Sequence, residues 1–130
     1  MALSVAVLIT ALLFGGMTLY SFGFAAFLFM MLPAETAGLA LRRAFPFFYL
    51  FVIVSALLAS AFLWTHDSLS AALMALVAIS AVPTRQALMP AINRATDLGR
   101  RQQFKWLHGL SVAITLGHIA AAGFVLVRLV

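Results

Sequence analysis

Cysteine is missing from all 130 residues. That absence excludes disulfides, thiolate metal sites and cysteine nucleophiles, and it leaves the redox compartment unreadable. Charge is scarce as well: 8% of the residues are Asp, Glu, Lys or Arg, and only three are acidic. The three carboxylates all sit in or beside connecting segments, and no Ser-His-Asp set, glycine-rich phosphate loop or zinc spacing occurs. The chain therefore reads more as a non-enzyme than as an enzyme. Low-complexity tracts and clear internal repeats are absent too. What remains is apolar: 65% of the residues are hydrophobic and the mean hydropathy is +1.15. Those values lie outside the range of a soluble domain, and the length suits one membrane domain over residues 1–130.

No charged side chain occurs between Met1 and Ala34, whereas about 20 helical residues suffice to cross hydrocarbon. A first span over about 4–31 would measure roughly 42 Å at 1.5 Å per residue. It must tilt, protrude or bend, with Gly15-Gly16 as the place for a bend. A removed signal peptide fits neither the flank nor the length, so an uncleaved first helix is expected. Pro33 ends that helix. A loop then runs through Arg42 and Arg43 to Pro46, which suits the first turn of a new helix. The second span is expected over about 46–64, with Tyr49 and Trp64 as interface anchors. The third follows over about 69–89, capped by Asp67 or Ser68 and kinked at Pro83. After a polar, basic segment the fourth span covers about 104–127. The expected fold is all-α: a four-transmembrane-helix bundle, antiparallel and up-down.

Seven of the eight Lys and Arg residues fall in or beside the first and third loops: Arg42, Arg43, Arg85, Arg94, Arg100, Arg101 and Lys105. Basic residues in short loops are retained in the cytoplasm, which puts both termini outside and the chain in a bacterial inner membrane as a multi-pass protein. The formal net charge of +5 is thus a topology signal and an attraction for anionic lipid heads, and nucleic acid is not an expected partner.

Two stretches carry a family pattern. One is Gly15-Gly16-Met17 through Phe29, Leu32-Pro33 and the loop to Phe45-Pro46-Phe47-Phe48-Tyr49. The other is Pro83 through Asn93, followed by Phe104-Lys105-Trp106-Leu107-His108-Gly109-Leu110-Ser111. Together they resemble the transmembrane protein 205-like family, a membrane domain of unknown function. The resemblance implies a four-span membrane protein, associated in animals with resistance to platinum drugs, and supplies no catalytic residues. A more distant similarity connects it with copper-resistance membrane proteins and with the haem-pathway oxidase of similar size. That oxidase's aromatic and histidine signature is not in this chain.

The fourth span is the most informative helix. His108, Ser111, Thr115 and His118 recur at spacings that place them on one face. Gly109, Ala113, Gly117 and Ala121 recur every four residues on the nearly opposite face, where they would allow another helix to approach closely. The polar stripe is either a route or site for a proton, metal ion or cofactor, or hydrogen-bonding glue between helices. Met17 shares a face of the first helix with Thr10 and Ser21, and with His118 it forms a weak copper candidate beside the plainer role of core filler. Haem between His118 and His66 is a further geometry to be tested. Toward the cytoplasm, Glu35, Arg42, Arg85, Asn93, Asp97, Arg101 and His108 form a polar cluster: a solvated rim, or a basic vestibule for anions. Within it Asp97 and Arg101 are spaced for a local ion pair. Three functional classes stay open: transport or metal and drug handling along the stripe, a haem or copper redox protein, and an accessory subunit of a larger membrane complex. Besides the bilayer, the expected partners are further copies of the chain or that complex.

Overall fold

The computed structural model describes residues 1–130. The apolar runs fold into four helices, α1 Ala2–Met31, α2 Ala34–Leu63, α3 Ser68–Asp97 and α4 Arg101–Leu129, each long and apolar enough to cross a membrane. About 30 residues rise roughly 45 Å, so every helix outruns the hydrocarbon and its ends stand among the headgroups.

The breaks between helices have local causes. Leu32 precedes Pro33, whose ring drives it out of the helical region to φ −124°, ψ 154°. Asp67 caps α3: its carboxylate accepts from the backbone N–H groups of Leu69 (3.2 Å) and Ser70 (3.4 Å) and from the Ser70 hydroxyl (2.6 Å). Gly99, at φ +66°, supplies the left-handed residue that ends α3. Its N–H reaches the Thr96 carbonyl, and the next N–H, of Arg100, reaches back to Ala95.

Such short links force antiparallel neighbours. α1 packs on α2 and α4, and α3 packs on the same two helices, closing an up-down-up-down square. The centre holds Leu13, Met17, Tyr49, Val52, Leu63, Met74, Val77 and Val125. Alanines at 56, 59, 71, 78, 81 and 122, all buried, bring backbones close in a setting where lipid gives leucine no hydrophobic advantage over them. The Ser60 hydroxyl crosses from α2 to donate to the Ala71 carbonyl of α3 at 2.8 Å. Large apolar side chains such as Leu57, Leu76, Ile79 and Phe124 face outward, as a lipid-facing surface requires. The chain is a small multi-pass membrane protein.

Four expectations need correction. The stretch from Ala34 to Phe45 is helix, and Pro46 sits inside α2. A single proline removes one backbone bond and bends a helix, while the Ala, Leu, Glu and Arg before it favour helix. With α2 starting twelve residues early, Tyr49 lies in mid-bundle, 1% exposed, and Trp64 alone of the two expected anchors is at a helix end. The wide turn of α1 falls at Leu19–Phe24, not at Gly15-Gly16. Gly16 lies so close to the Phe51 ring that an added Cβ would come within 2.8 Å of it, which makes it a packing contact. The third span also extends past residue 89 to Asp97; a wide turn over Thr84–Leu88 follows Pro83 and absorbs its missing donor without ending the helix.

Candidate functional site

The two ends of the bundle differ. At the end with Asp67, the helices are closed by alanines and by an ion pair in which Arg128 reaches Asp67 through Nε at 2.9 Å and Nη2 at 3.2 Å. This guanidinium, with help from the Ser70 hydroxyl, holds the Asp67 carboxyl well below the usual carboxylate range. It ties the last turn of α4 to the α2–α3 link.

At the opposite, basic end the square opens. Up to Thr18, α1 packs on both α2 and α4; beyond the wide turn at Leu19–Phe24 it stays against α2 and leaves α4. The widening leaves a cavity of about 780 Å³ among all four helices, within the size range of small-molecule sites. Its inner wall is aromatic. Tyr20 stacks on Phe48 with centroids 4.1 Å apart and meets the edge of Phe45 at 5.4 Å. Tyr49 lies against Thr115 of α4, and Met89 and Ile92 close the α3 side. The Tyr20 hydroxyl is buried and has no hydrogen-bond partner.

Glu35, Arg42, Asn93, Asp97 and His108 stand around the mouth. Arg42 is fixed from two directions: its Nη2 donates to the Asp97 carboxylate and to the Asn93 carbonyl, both at 2.8 Å. Asp97 is therefore not paired with Arg101. The helix that would set that four-residue spacing ends at Asp97, and Arg101 begins α4 beyond the turn. Arg85 is also outside the cavity lining; its Nε donates to the Pro46 carbonyl at 3.0 Å and its Nη1 to Gln86. Five of the seven residues of the expected polar cluster thus converge on the cavity.

The polar stripe of α4 divides. His108 is at the rim, its ring stacked on Phe104 at 5.4 Å. Ser111 and Thr115 line the cavity, and the Ser111 hydroxyl donates to the His108 carbonyl at 2.7 Å. His118 lies above the cavity, buried between α3 and α4, with Nε2 2.7 Å from the Ser80 hydroxyl. The Ser80 hydroxyl also lies 2.7 Å from the Leu76 carbonyl; with its proton given to that carbonyl, it accepts from the imidazole N–H. Gly109, Ala113 and Gly117 face away from the bundle. A Cβ at Gly109 or Gly117 would meet nothing within 4 Å, and of this set only Ala121 packs on the core. The small residue on which a neighbouring helix closes is Gly123, against Phe14 of α1.

No three His, Asp or Glu side chains converge. Met17 is sealed in the core, and the Thr10 hydroxyl is turned to its own helix, donating to the Ala6 carbonyl at 2.7 Å. His66 is exposed in the link beside Asp67. His118 is ten residues, about 15 Å of helix rise, from Arg128, whose side chain pairs with Asp67 of that link.

Sequence reasoning passed over Tyr20, Phe45, Phe48 and Ser80. The aromatics had a signal in the dense Phe and Tyr content of 20–24 and 45–49, but only the fold shows that both segments face one cavity. No curated protein and no solved structure matches this chain. The profile of a domain of unknown function, DUF4149, matches residues 8–101, covering α1 to α3 and ending where α4 begins. Matched over well more than half its length, the chain belongs to the DUF4149 family.

Proposed function

We propose that this DUF4149 protein takes up an amphiphilic small molecule in the cavity at its basic end, as part of a transport or handling role in the membrane. The observation that carries the reading is the cavity's construction: aromatic and aliphatic walls, a polar mouth at headgroup level, and an opening where α1 parts from α4. An apolar body enters such a space from the bilayer without crossing water, while its polar end stays among the rim side chains. His108, Ser111 and Thr115 form the α4 wall, giving the stripe a binding role in its inner part and a packing role at His118. The transmembrane protein 205-like resemblance belongs with this reading, as does a cytoplasmic position for the basic end, supported by its seven Lys and Arg residues.

Native mass spectrometry of the protein released from mild detergent tests the proposal. A bound amphiphile should be retained, and Gly38→Trp should eliminate it. Gly38 lines the cavity with open space over its Cα, so the indole fills the mouth without a clash in the core. Equal retention by a Gly38→Trp protein of unchanged helicity would refute the cavity as the site.

A further inference from the structure

Building on that reading, we infer that the cavity selects an anionic amphiphile, a single acyl chain bearing a carboxylate or phosphate head, and that Arg42 receives the head. Arg42 lines the cavity with its side chain about one-third exposed, at 33%. Both hydrogen bonds it makes leave from Nη2. Nε and Nη1 have no partner; they lie on different edges of the guanidinium, and each can donate a charge-assisted bond to an oxygen of a carboxylate or phosphate. Because Asp97 and the Asn93 carbonyl already hold the guanidinium, little side-chain freedom remains to be lost when a head group arrives.

The charges around Arg42 favour the same sign. Its own end of the bundle carries Arg43, Arg85, Arg94, Arg100, Arg101 and Lys105 against the carboxylates of Glu35 and Asp97. Of these two, Asp97 is already paired with Arg42. Glu35 also lines the mouth, but seven residues before Arg42 it lies roughly 10 Å further out along α2. A head at Arg42 is thus beneath Glu35, under a net positive field that draws anions to the mouth. Tyr49 lies the same seven residues beyond Arg42 on the other side, so the chain runs inward past Phe45 and Phe48, and its remainder leaves through the gap between α1 and α4.

Titrations of the full-length protein, followed by native mass spectrometry, separate head from tail. Oleate and oleyl alcohol share a chain and differ in charge; 1-oleoyl lysophosphatidate carries the phosphate head and distinguishes a lipid-derived ligand from a free fatty acid. Oleate or the lysophosphatidate should bind at least tenfold tighter than the alcohol. Arg42→Gln should remove that advantage and leave alcohol binding within twofold, whereas Asp97→Asn, which lifts the competing negative charge, should not weaken the anion. A merely structural Arg42–Asp97 pair would respond to both substitutions alike. If both variants lose all three ligands equally, or if the alcohol binds as well as the anions, the head-group assignment is overturned while the cavity reading stands. If none of the three binds the unaltered protein, both readings fall.

Discussion

The Ser80–His118 contact yields an asymmetry that can be measured. Ser80 is supplied twice over: its hydroxyl faces the carbonyls of Leu76 at 2.7 Å and Val77 at 3.2 Å as well as the imidazole. His118, 7% exposed, has Ser80 as its one protein partner. Ser80→Ala therefore strands a ring nitrogen in a dry helix interface, where an unmet donor costs about 1–3 kcal/mol, while His118→Leu keeps the volume and leaves the serine bonded to its own helix. Hydrogen bonds between membrane helices average about 0.6 kcal/mol with a ceiling near 1.7, so the expected loss for Ser80→Ala is about 1–2 kcal/mol. His118→Leu should lose less than half of that, and the double variant should resemble His118→Leu. Reversible unfolding in mixed micelles, followed by circular dichroism, gives all three values. A His118→Leu loss larger than that of Ser80→Ala would mean that the imidazole makes a further contact of greater value, and the argument from its single partner would fail.

Four other outcomes are expected. Gly117→Leu should leave monomer stability within 0.5 kcal/mol, the range of substitutions that touch nothing, whereas Gly16→Leu should destabilise through the Phe51 ring; a change in particle size for Gly117→Leu in mild detergent would instead reveal a second helix on that face. The Asp67–Arg128 clasp should persist on acidification through the ordinary carboxylate range and open only below it, because a carboxyl with a lowered folded pKa contributes stability above its unfolded value and loses it as pH falls through the folded one; hydrogen exchange at the end of α4 that accelerates already at mild acidity would contradict this. In intact cells, an impermeant thiol reagent should label Ser68→Cys and spare Thr96→Cys, and the reverse pattern would invert the proposed orientation. Tyr20→Phe should stabilise the protein slightly by removing a buried hydroxyl without a partner, and a loss above 1 kcal/mol in thermal unfolding would show that the hydroxyl is bonded after all.

Much of the fold was legible because hydrocarbon imposes a coarse rule: long uncharged runs must be helices, and short links between them must reverse the chain. Asp67 was legible as a cap from its place before Leu69, and the stripe from Ser111 to His118 from helical spacing alone. The misread helix bounds have one origin. Proline and arginine were taken as boundaries of a span, whereas the helix continues beyond the membrane-crossing part whenever local propensity allows, as it does from Ala34 through Arg43 and from Pro90 through Asp97. The cavity was not legible, because it depends on which of two helices the end of α1 follows. Likewise, the Arg42–Asp97 pair joins residues 55 apart, and no periodicity within one helix can indicate that.

The open basic end and the closed Asp67 end follow from one difference in side-chain size. Where α2 and α3 meet toward Asp67, alanine and serine at 56, 59, 60, 71 and 78 let backbones touch, and the nearby turn of α4 is drawn in by Gly123 against Phe14. Toward the basic end the facing positions are Tyr20, Phe24, Phe45, Phe48 and Tyr49. Rings of this bulk stack on one another and hold the backbones apart, and helices that part cannot fill the intervening space with rigid planes. The wide turn at Leu19–Phe24 carries two of these rings, and beyond it α1 keeps its contact with α2 and loses that with α4, so the space remains open on the α4 side. Reducing the ring bulk at Phe48 would therefore not simply enlarge the cavity: with Tyr20 freed from its stacking partner, α1 could settle back on α4 and close the opening. The aromatic wall is on this account both the lining of the site and the wedge that keeps it accessible from the bilayer.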